Sequence, residues 1–468
     1  MMTSPIDENV TAEDLGHVLF IGVGGVGMSG VARLYATRGL PTSGSELHDW
    51  PSLTDLADLG VTIHRQHRPA NLDGVDTVVR STAHPDDHIE LVEARRRGIR
   101  VYHRSEALAA AMTGKRSIAV TGTHGKTTTT AMITDMLVAC GKNPSFVNGG
   151  ESADGKSGGH GTGDLFVVEA DESDRSFFRY RPEVAILTNI DADHLNNYGS
   201  VEQLADGFAE FLRGTSADGV VIVCTDDPRT AEVGATLAEE GRDVVTYGTS
   251  VDANLRITAP VSGAGGVSYR ATYNGRDLGE FTLPALGAHL GLNSAAAVAT
   301  ALRLGLEPDD IRKGLSGFTG VRRRFELTGT VSGVRVYDEY AYHPTAMKAA
   351  LTTLKGLAGD SRLTVVFQPY RVYRTHGFQA EIAEALSIAD QAVVMEIFGP
   401  GETIEPGRGG QALCEAVSLP EGRKWFEPNW DRIPGLVAEH TTAGDVVVTM
   451  GAPPISMMPT DIRAALAN

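Results

Sequence analysis

The run Gly-Thr-His-Gly-Lys-Thr-Thr at positions 122–128 constrains this chain more than any other feature of the sequence. The apolar segment 117–120 before it predicts a buried strand, and the amphipathic stretch Ala131–Cys140 after it predicts a helix. A glycine loop between a strand and a helix is typical of phosphate sites, because glycines let backbone N–H groups approach the phosphates. The alternative is a glycine-rich turn with an incidental lysine. We predict that ATP is held by Gly122, Thr123, His124, Gly125, Lys126, Thr127 and Thr128.

Composition excludes several classes of protein. The length of 468 residues predicts about three domains. A net charge of −18 disfavours binding to nucleic acid or anionic membranes, and the three cysteines show no metal-binding spacing. Residues 1–15 lack the apolar core of a signal peptide, and no apolar run approaches the ~20 residues of a membrane span. We therefore expect a cytoplasmic protein with no nucleic-acid or membrane partner.

Short apolar runs alternate with helical patterns along the whole chain, which predicts an α/β fold with parallel sheets. Between 254 and 283 the pattern changes to alternating polar and apolar residues with glycine-rich turns, which predicts a small antiparallel insertion. We expect three domains, with boundaries uncertain by several residues. They are a Rossmann-like domain at 1–113, a central P-loop-like domain at 114–320 that carries the insertion, and a second Rossmann-like domain at 321–468.

A second glycine loop, at 22–29, follows the predicted strand 19–21 and precedes a helical pattern. This signature fits a dinucleotide, and Glu46 follows at the distance where dehydrogenases carry a ribose-binding acid. A dehydrogenase, however, leaves the loop at 122–128 unexplained. A nucleotide-diphosphate substrate at the first loop and ATP at the second account for both. The predicted substrate-binding residues are Gly24, Gly25, Val26, Gly27, Met28 and Ser29.

Polar residues at the ends of predicted strands supply the remaining candidates. The acid run 169–174 follows a strand, and Glu169 at the strand tip can complete the oxygen shell of Mg²⁺ that Thr127 begins. His194 follows the neighbouring strand and is the third predicted metal ligand. Arg324, in an arginine triplet between the second and third domains, can neutralise a transferring phosphoryl group.

These motifs resemble those of the Mur ligases of peptidoglycan synthesis, over essentially the whole chain. The most specific ones are Gly-Val-Gly-Gly-Val-Gly-Met-Ser at 22–29, Gly-Thr-His-Gly-Lys-Thr at 122–127 and Glu-Ala-Asp-Glu-Ser-Asp at 169–174. The resemblance is strongest to the branch that adds L-alanine to UDP-N-acetylmuramate. It implies that the first domain binds a UDP-sugar acid, the central domain Mg²⁺ and ATP, and the third domain the amino acid.

The resemblance also implies a mechanism and further site residues. ATP phosphorylates the carboxylate of the sugar acid, and an amine then displaces phosphate from the acyl phosphate. Lys126, Glu169, His194, Arg324 and His343 become the expected catalytic residues. Asn293 matches the family position near adenine, and Glu339 the position that contacts the ATP ribose.

This chain departs from the family pattern mainly in the third domain. The family motif Asp-Asp-Tyr-Ala-His-His-Pro reads Asp-Glu-Tyr-Ala-Tyr-His-Pro at 338–344, so Glu339 is one methylene longer and Tyr342 replaces a histidine. Tyr370 also stands where histidine is usual, and Pro453-Pro454 replaces a Gly-Asp pair. Three hypotheses follow from this pattern. They are a ligase that adds L-alanine, a paralogue that joins another amine to a related UDP-linked carboxylate, and a nucleotide-binding protein without turnover.

Overall fold

The computed structural model describes residues 9–263 and 265–468, apart from the side chain of residue 196. Residues 1–8, on which part of the signal-peptide prediction falls, lie outside this description. The chain forms two compact units, one of Met1–Ala285 with Leu290–Val321 and one of Leu286–His289 with Arg322–Asn468. Among the described residues, no helix combines the length and apolar character needed to cross a membrane.

The first sheet, in the first unit, has five parallel strands in the order β3-β2-β1-β4-β5. The strands are β1 (Val18–Ile21), β2 (Thr42–Ser45), β3 (Thr62–His64), β4 (Thr77–Arg80) and β5 (Arg100–His103). The helices are α1 (Val26–Thr37), α2 (Ser52–Asp58), α3 (Ile89–Arg97) and α4 (Arg104–Met112). The chain order reverses at β1, which lies between β2 and β4. The loop 22–25 after β1 is therefore at the switch point where open α/β sheets bind ligands.

The second sheet of the same unit has eleven strands, with β6 near its centre. The strands are β6 (Arg116–Thr121), β7 (Ser145–Val147), β8 (Gly158–Gly159), β9 (Leu165–Glu169), β10 (Val184–Leu187), β11 (Val220–Cys224), β12 (Asp243–Gly248), β13 (Leu255–Ile257), β14 (Val261–Gly263), β15 (Gly266–Tyr273) and β16 (Arg276–Leu283). The helices are α5 (Lys126–Ala139), α6 (Leu195–Tyr198), α7 (Val201–Arg213), α8 (Pro228–Glu239), α9 (His289–Arg303) and α10 (Pro308–Ser316). The antiparallel insertion predicted at 254–283 is present as β13–β16, and β13 joins it to the parallel strands through β12.

The helix after the phosphate loop differs from its prediction. α5 begins at Lys126, five residues before the predicted start, and the threonines at 127–130 are buried within it. The amphipathic pattern was the wrong interpretation, because α5 packs against β6, β9 and α10 and is covered along most of its length. The four consecutive threonines form the first turns of this largely buried helix.

The second unit contains a six-stranded sheet in the order β17-β18-β22-β19-β20-β21, in which only β17 is antiparallel. The strands are β17 (Glu326–Val331), β18 (Val334–Glu339), β19 (Leu363–Phe367), β20 (Gln391–Val394), β21 (Lys424–Phe426) and β22 (Val446–Met450). The helices are α11 (Pro344–Ala358), α12 (Val372–Gly377), α13 (Gln379–Leu386), α14 (Gly410–Ala416), α15 (Ile433–His440) and α16 (Met458–Leu466). Three mainly parallel sheets with covering helices confirm the predicted α/β fold class.

Candidate active site

The predicted phosphate loop joins the carboxyl end of β6 to the first residue of α5. Gly125 has a φ of 82°, a left-handed conformation that glycine adopts without steric penalty. A Cβ at Gly122 would overlap the hydroxyl group of Thr188. The loop therefore requires glycine at both positions, and its backbone lies at the N-terminus of a long helix, where anions are favoured.

The segment after β10 holds this loop in place. The backbone N–H of Thr123 donates to the carbonyl of Asn189 at 3.0 Å, and the N–H of His124 donates to Asn189 Oδ1 at 2.9 Å. The imidazole Nε2 of His124 is 2.8 Å from Asp191 Oδ2. Because these contacts fix the loop, it has little conformational freedom left to lose when a phosphate binds.

Lys126 places a buried cation in the loop. Its Nζ donates hydrogen bonds to the carbonyl of Gly122 at 2.6 Å and to Glu172 Oε1 at 2.8 Å. Burial disfavours the charged form, but the carboxylates of Glu172 and Glu169 outweigh it and raise the pKa of Lys126. The lysine is therefore charged at neutral pH, as phosphate binding requires.

Glu169 and Thr127 lie on one side of this loop. Glu169 is the last residue of β9 and pairs with Val120 of β6, directly before the loop. Its Oε2 accepts a hydrogen bond from the N–H of Gly149 at 2.8 Å. A Cβ on the next residue, Gly150, would lie 2.9 Å from the methyl group of Thr127. Glu169 and Thr127, two of the three predicted metal ligands, therefore both lie beside the segment 149–150.

The third predicted ligand, His194, lies beside Glu172. Its Nε2 is 3.9 Å from Glu172 Oε1 and 3.6 Å from Asp193 Oδ2. The second oxygen of Glu172, Oε2, is buried and accepts no hydrogen bond from the described residues. A buried carboxylate oxygen needs a donor or a cation, and Mg²⁺ prefers oxygen ligands. The residues around the loop therefore fit a magnesium ion, and Glu172 is the acceptor that the sequence analysis had not singled out from the acid run.

Asn293, in the first turns of α9, lies against Gly125 of the phosphate loop. It is buried, and a Cβ at Gly125 would lie 2.8 Å from its Oδ1. The sequence resemblance assigned Asn293 to the surroundings of adenine. That role stays a prediction, and the structure adds that its amide group borders the phosphate loop.

The first glycine loop is held by an acid from the end of β2. Glu46 is buried; its Oε2 accepts from the N–H of Gly24 at 3.3 Å, and its Oε1 accepts from the N–H groups of Leu47 at 2.8 Å and His48 at 3.0 Å. In a dehydrogenase, an acid at this position binds a ribose hydroxyl group. In this chain the carboxylate of Glu46 instead accepts hydrogen bonds from three backbone N–H groups. Its contacts are those of a residue that shapes the loop.

Arg104 connects the two loops within this unit. It is the first residue of α4, and a Cβ at Gly27 would overlap its guanidinium group. Nη2 of Arg104 is 3.6 Å from Asp171 Oδ2, in the acid run beside the phosphate loop. An arginine against a glycine loop supplies the local positive charge that a diphosphate needs in an acidic protein. The sequence analysis missed Arg104, although its position directly after β5 was a usable signal.

In the second unit, two arginines of the predicted cluster bind the two acids at the end of β18. Nε of Arg323 donates to Asp338 Oδ2 at 2.8 Å, and Nη1 of Arg324 is 3.5 Å from Glu339 Oε1. Both guanidinium groups lie over the ring of Tyr340, 4.8 Å and 5.1 Å from its centroid. Ion pairs and a shared aromatic face thus fix the orientation of both arginines.

The longer acid at position 339 is itself part of this framework. Glu339 is buried and accepts backbone N–H groups from Phe325 at 2.9 Å and Ala341 at 3.1 Å. Burial raises the pKa of Glu339, although Arg324 opposes this shift. The proposed ribose contact of this residue has therefore to coexist with a structural role.

The two tyrosines that replace family histidines contact each other. The rings of Tyr342 and Tyr370 have centroids 5.5 Å apart, and the guanidinium group of buried Arg374 lies 4.6 Å from the centroid of Tyr342. The neighbouring His343 is buried at the start of α11, with its ring 4.9 Å from that of Phe378. The two side chains that depart from the family pattern, Tyr342 and Tyr370, therefore pack against each other.

Comparisons with known proteins agree with these motifs. The chain matches the sequence models described as Mur ligase family, catalytic domain, at 17–116; Mur ligase middle domain, at 120–301; and Mur ligase, glutamate ligase domain, at 323–453. It is 60% identical to a UDP-N-acetylmuramate–L-alanine ligase of Salinispora arenicola, over 98% of this chain and 90% of the relative. A ligase of the same name from Acidothermus cellulolyticus is 44% identical, over 95% of this chain and 94% of the relative.

Among solved structures, the UDP-N-acetylmuramate-alanine ligase of Thermotoga maritima is similar to this chain with a TM-score of 0.81 at 27% identity. The similarity covers 95% of this chain and 98% of that protein. Together with the three sequence models, it confirms the predicted three-domain architecture. The boundaries at 113/114 and 320/321 stay a prediction.

Proposed function

The chain belongs to the Mur ligase family, and we propose that it is the ATP-dependent ligase that joins L-alanine to the carboxylate of UDP-N-acetylmuramate in peptidoglycan precursor synthesis. The observation that carries the proposal is the presence of two glycine loops in one unit, linked by Arg104 and Asp171. An enzyme that binds only one nucleotide needs only one phosphate-binding loop. A cytoplasmic location is part of the same proposal.

The proposed reaction has two steps, phosphorylation of the sugar acid and formation of the amide bond. A carboxylate oxygen of the sugar acid attacks the γ-phosphorus of ATP, the bond to the β-phosphate oxygen breaks, and ADP leaves. The amine of L-alanine then attacks the acyl carbon, the bond to the phosphate oxygen breaks, phosphate leaves and the nitrogen loses a proton. No side chain forms a covalent bond, so the work of the protein is positioning and charge neutralisation.

The residues of the phosphate loop perform these tasks. In our proposal Lys126 binds the β- and γ-phosphate oxygens, while the backbone N–H groups of 125–128, at the start of α5, hold the phosphates in line with the acceptor. Thr127, Glu169 and His194 would hold Mg²⁺, with Glu172 as a further oxygen donor. When bound, this ion neutralises phosphate charge.

The other predicted site residues are proposed to bind the UDP-sugar and the adenosine part of ATP or to take part in catalysis. The loop residues 24–29 bind the diphosphate of the UDP-sugar, and Arg104 adds the charge that this group requires. Asn293 and Glu339 contact the adenosine part of ATP. Arg324 and His343 remain the candidate catalytic residues of the second unit.

One experiment decides between this function and its alternatives. The purified protein receives ATP, magnesium, UDP-N-acetylmuramate and each of the twenty amino acids in turn, and phosphate release and product mass are measured. We expect release only when both the sugar acid and L-alanine are present, with a product heavier by one alanyl group. Release with another amine and none with L-alanine would identify the diverged paralogue. No release with any pair would identify a nucleotide-binding protein without turnover.

A further inference from the structure

Three histidines meet at the carboxyl edge of the first sheet, outside the residues assigned above. They are His67 after β3, His84 after β4 and His88 before α3, and we call them the histidine cluster. The ring centroids of His67 and His88 are 4.5 Å apart, those of His84 and His88 5.3 Å, and those of His67 and His84 6.2 Å. Imidazoles converge at such distances around a shared ion as well as in simple aromatic packing.

A buried carboxylate completes the group. Glu90, in the first turn of α3, is fully buried, and its Oε2 is 3.0 Å from Nδ1 of His67. One donor atom from each of His67, His88 and Glu90 lies within 4.8 Å of the other two. Ser45 donates to Glu90 Oε2 at 2.7 Å, and Asn71 donates to Glu90 Oε1 at 2.7 Å. Metal-binding carboxylates are held by such hydrogen bonds, which fix their orientation.

His88 supplies the observation that separates a metal site from ordinary packing. Both of its ring nitrogens are buried, and neither has a hydrogen-bond partner among the described residues. A neutral imidazole carries one N–H donor and one lone pair, so two unsatisfied nitrogens in a buried ring are unfavourable.

We propose that His67, His88 and Glu90 bind one divalent transition-metal ion, of which zinc is the representative, and that His84 packs against His88 beside it. Two imidazoles and one carboxylate supply the nitrogen and oxygen donors that Zn²⁺ prefers, and a water molecule can complete the four-coordinate geometry. Mg²⁺, the ion proposed for the ATP site, prefers a shell made mainly of oxygen atoms and suits a cluster of imidazoles poorly. The cluster is thus distinct in chemistry from the site at Lys126.

The position of the cluster indicates what a bound ion does. A Cβ at Gly22, the first residue of the first glycine loop, would overlap Nε2 of His84. Ser45, the hydroxyl donor to Glu90, is the last residue of β2 and pairs with Ile21 at the end of β1. An ion that fixes His88 and Glu90 therefore supports the base of the loop that we assign to the UDP-sugar, through the contact of His88 with His84 and the hydrogen bond of Ser45 to Glu90. This metal site stands independently of that assignment, since its ligands include none of the loop residues.

The test uses the full-length protein without an affinity tag, after removal of metals with a chelator. Zn²⁺ alone is titrated by calorimetry in excess Mg²⁺, which occupies oxygen-rich sites. We expect one equivalent to bind and to raise the melting temperature, because a ligand of the folded state stabilises it. Co²⁺ in place of Zn²⁺ is expected to give the strong visible absorption of a four-coordinate site.

Variants separate this site from others. His88→Asn and His67→Asn are each expected to weaken Zn²⁺ binding at least ~10-fold and to abolish the rise in melting temperature. His48→Asn, an exposed residue of the same domain, is the matched control and leaves binding unchanged. Melting curves of the metal-free variants show that each is folded. Absence of a stoichiometric site in the parent protein, or equal binding by His88→Asn, would overturn the proposal.

Discussion

Nζ of Lys126 lies 2.8 Å from Oε1 of Glu172, and the carboxylate side chain is fully buried. The cation that the loop offers to a phosphate is thus held by a partner on a different strand–loop segment. When one member of a buried ion pair is removed, the other is left as an uncompensated charge, which is strongly destabilising. Function and stability are therefore linked at this residue pair.

Lys126→Ala is expected to lower turnover by about 10³-fold, because the charge that binds the β- and γ-phosphates is lost. UDP-sugar affinity is expected to stay nearly unchanged, since the first glycine loop contains none of these atoms. Phosphate release and calorimetry with UDP-N-acetylmuramate measure the two effects. A large loss of UDP-sugar binding would show that the two sites have been assigned wrongly.

The control for this variant addresses its stability. Lys126→Ala alone is expected to cost about 3–5 kcal/mol of unfolding free energy, because Glu172, whose pKa burial raises to about 8, is then buried without the cation that opposes this shift. The double variant Lys126→Ala with Glu172→Gln replaces the buried acid by a neutral amide and should regain part of the stability without regaining turnover. If turnover returned with stability, Lys126 would be a structural residue only.

Gly25→Ala tests the first loop without disturbing the fold. The nearest atom to a Cβ at Gly25 is the carbonyl oxygen of Gly22 at 3.6 Å, an ordinary contact, and the φ of −65° suits alanine. A methyl group there would hinder the approach of a diphosphate to the backbone. We expect UDP-sugar affinity to fall about 10-fold, since each 1.4 kcal/mol changes affinity tenfold.

The matched control is Gly356→Ala in α11, where a Cβ has no atom within 4 Å. It is expected to stabilise the protein by about 0.5–1 kcal/mol, because alanine favours helix, and to leave UDP-sugar binding unchanged. Thermal melting and calorimetry compare the two variants. Unchanged UDP-sugar affinity in Gly25→Ala would argue against diphosphate binding at this loop.

Asp135 predicts a pH dependence of stability. Burial in α5 raises its pKa to about 6 from an ordinary value of 3.8. Between these values the folded protein retains a proton that the unfolded chain has released, so stability falls as pH rises from about 4 through 6. Allowing for the partial exposure of this side chain, the loss is about 2 kcal/mol.

Asp135→Asn removes the titrating group and is expected to abolish this part of the pH dependence. Urea unfolding at about pH 4.5 and about pH 7.5 measures the free energy of unfolding of both proteins. The stability of the variant relative to the parent is expected to be greater at the higher pH. Asp218→Asn, at an exposed position, is the control. Parallel pH profiles for the parent and Asp135→Asn would contradict the assigned effect of burial.

Arg324→Gln tests the proposed neutralisation of the phosphoryl group. We expect kcat to fall at least ~10²-fold with little change in the KM of the UDP-sugar, because the charge acts mainly on the transition state. Arg322→Gln, at the exposed first position of the triplet, serves as the control and should stay within about 3-fold of the parent. Similar losses in both variants would indicate a general electrostatic effect.

The contact between Tyr342 and Tyr370 predicts coupled effects on the amino acid. Each single change to the family residue, Tyr342→His or Tyr370→His, is expected to lower kcat/KM for the amino acid, and the double variant to lose less than the sum. A coupling of about 1 kcal/mol is typical for residues in contact. Steady-state kinetics with varied amino acid provide the four values. Strictly additive losses of kcat/KM would show that the contact between the two rings does not couple their effects on the amino acid.

Short buried strands are the elements that sequence patterns predicted best. The sequence predicts strands at Leu165–Glu169, Val184–Leu187 and Leu363–Phe367, and all three have these bounds in the structure, because mainly apolar runs mark strands covered on both faces. β2 (Thr42–Ser45) was missed because its sequence, Thr-Ser-Gly-Ser, carries no apolar pattern. It is nevertheless fully buried, with the hydroxyl of Ser43 3.0 Å from Nε2 of His17.

The amino-acid sequence alone determined the two glycine loops and their nucleotide chemistry, because the residues that shape a phosphate loop are consecutive and act through local backbone geometry. Only the tertiary structure decided which distant side chains complete those loops. Glu172 reaches Lys126, Arg104 reaches Gly27, and the histidine cluster assembles from separate loops of the first sheet. Such contacts depend on strand order and helix packing, and the spacing of residues along the chain does not encode them directly.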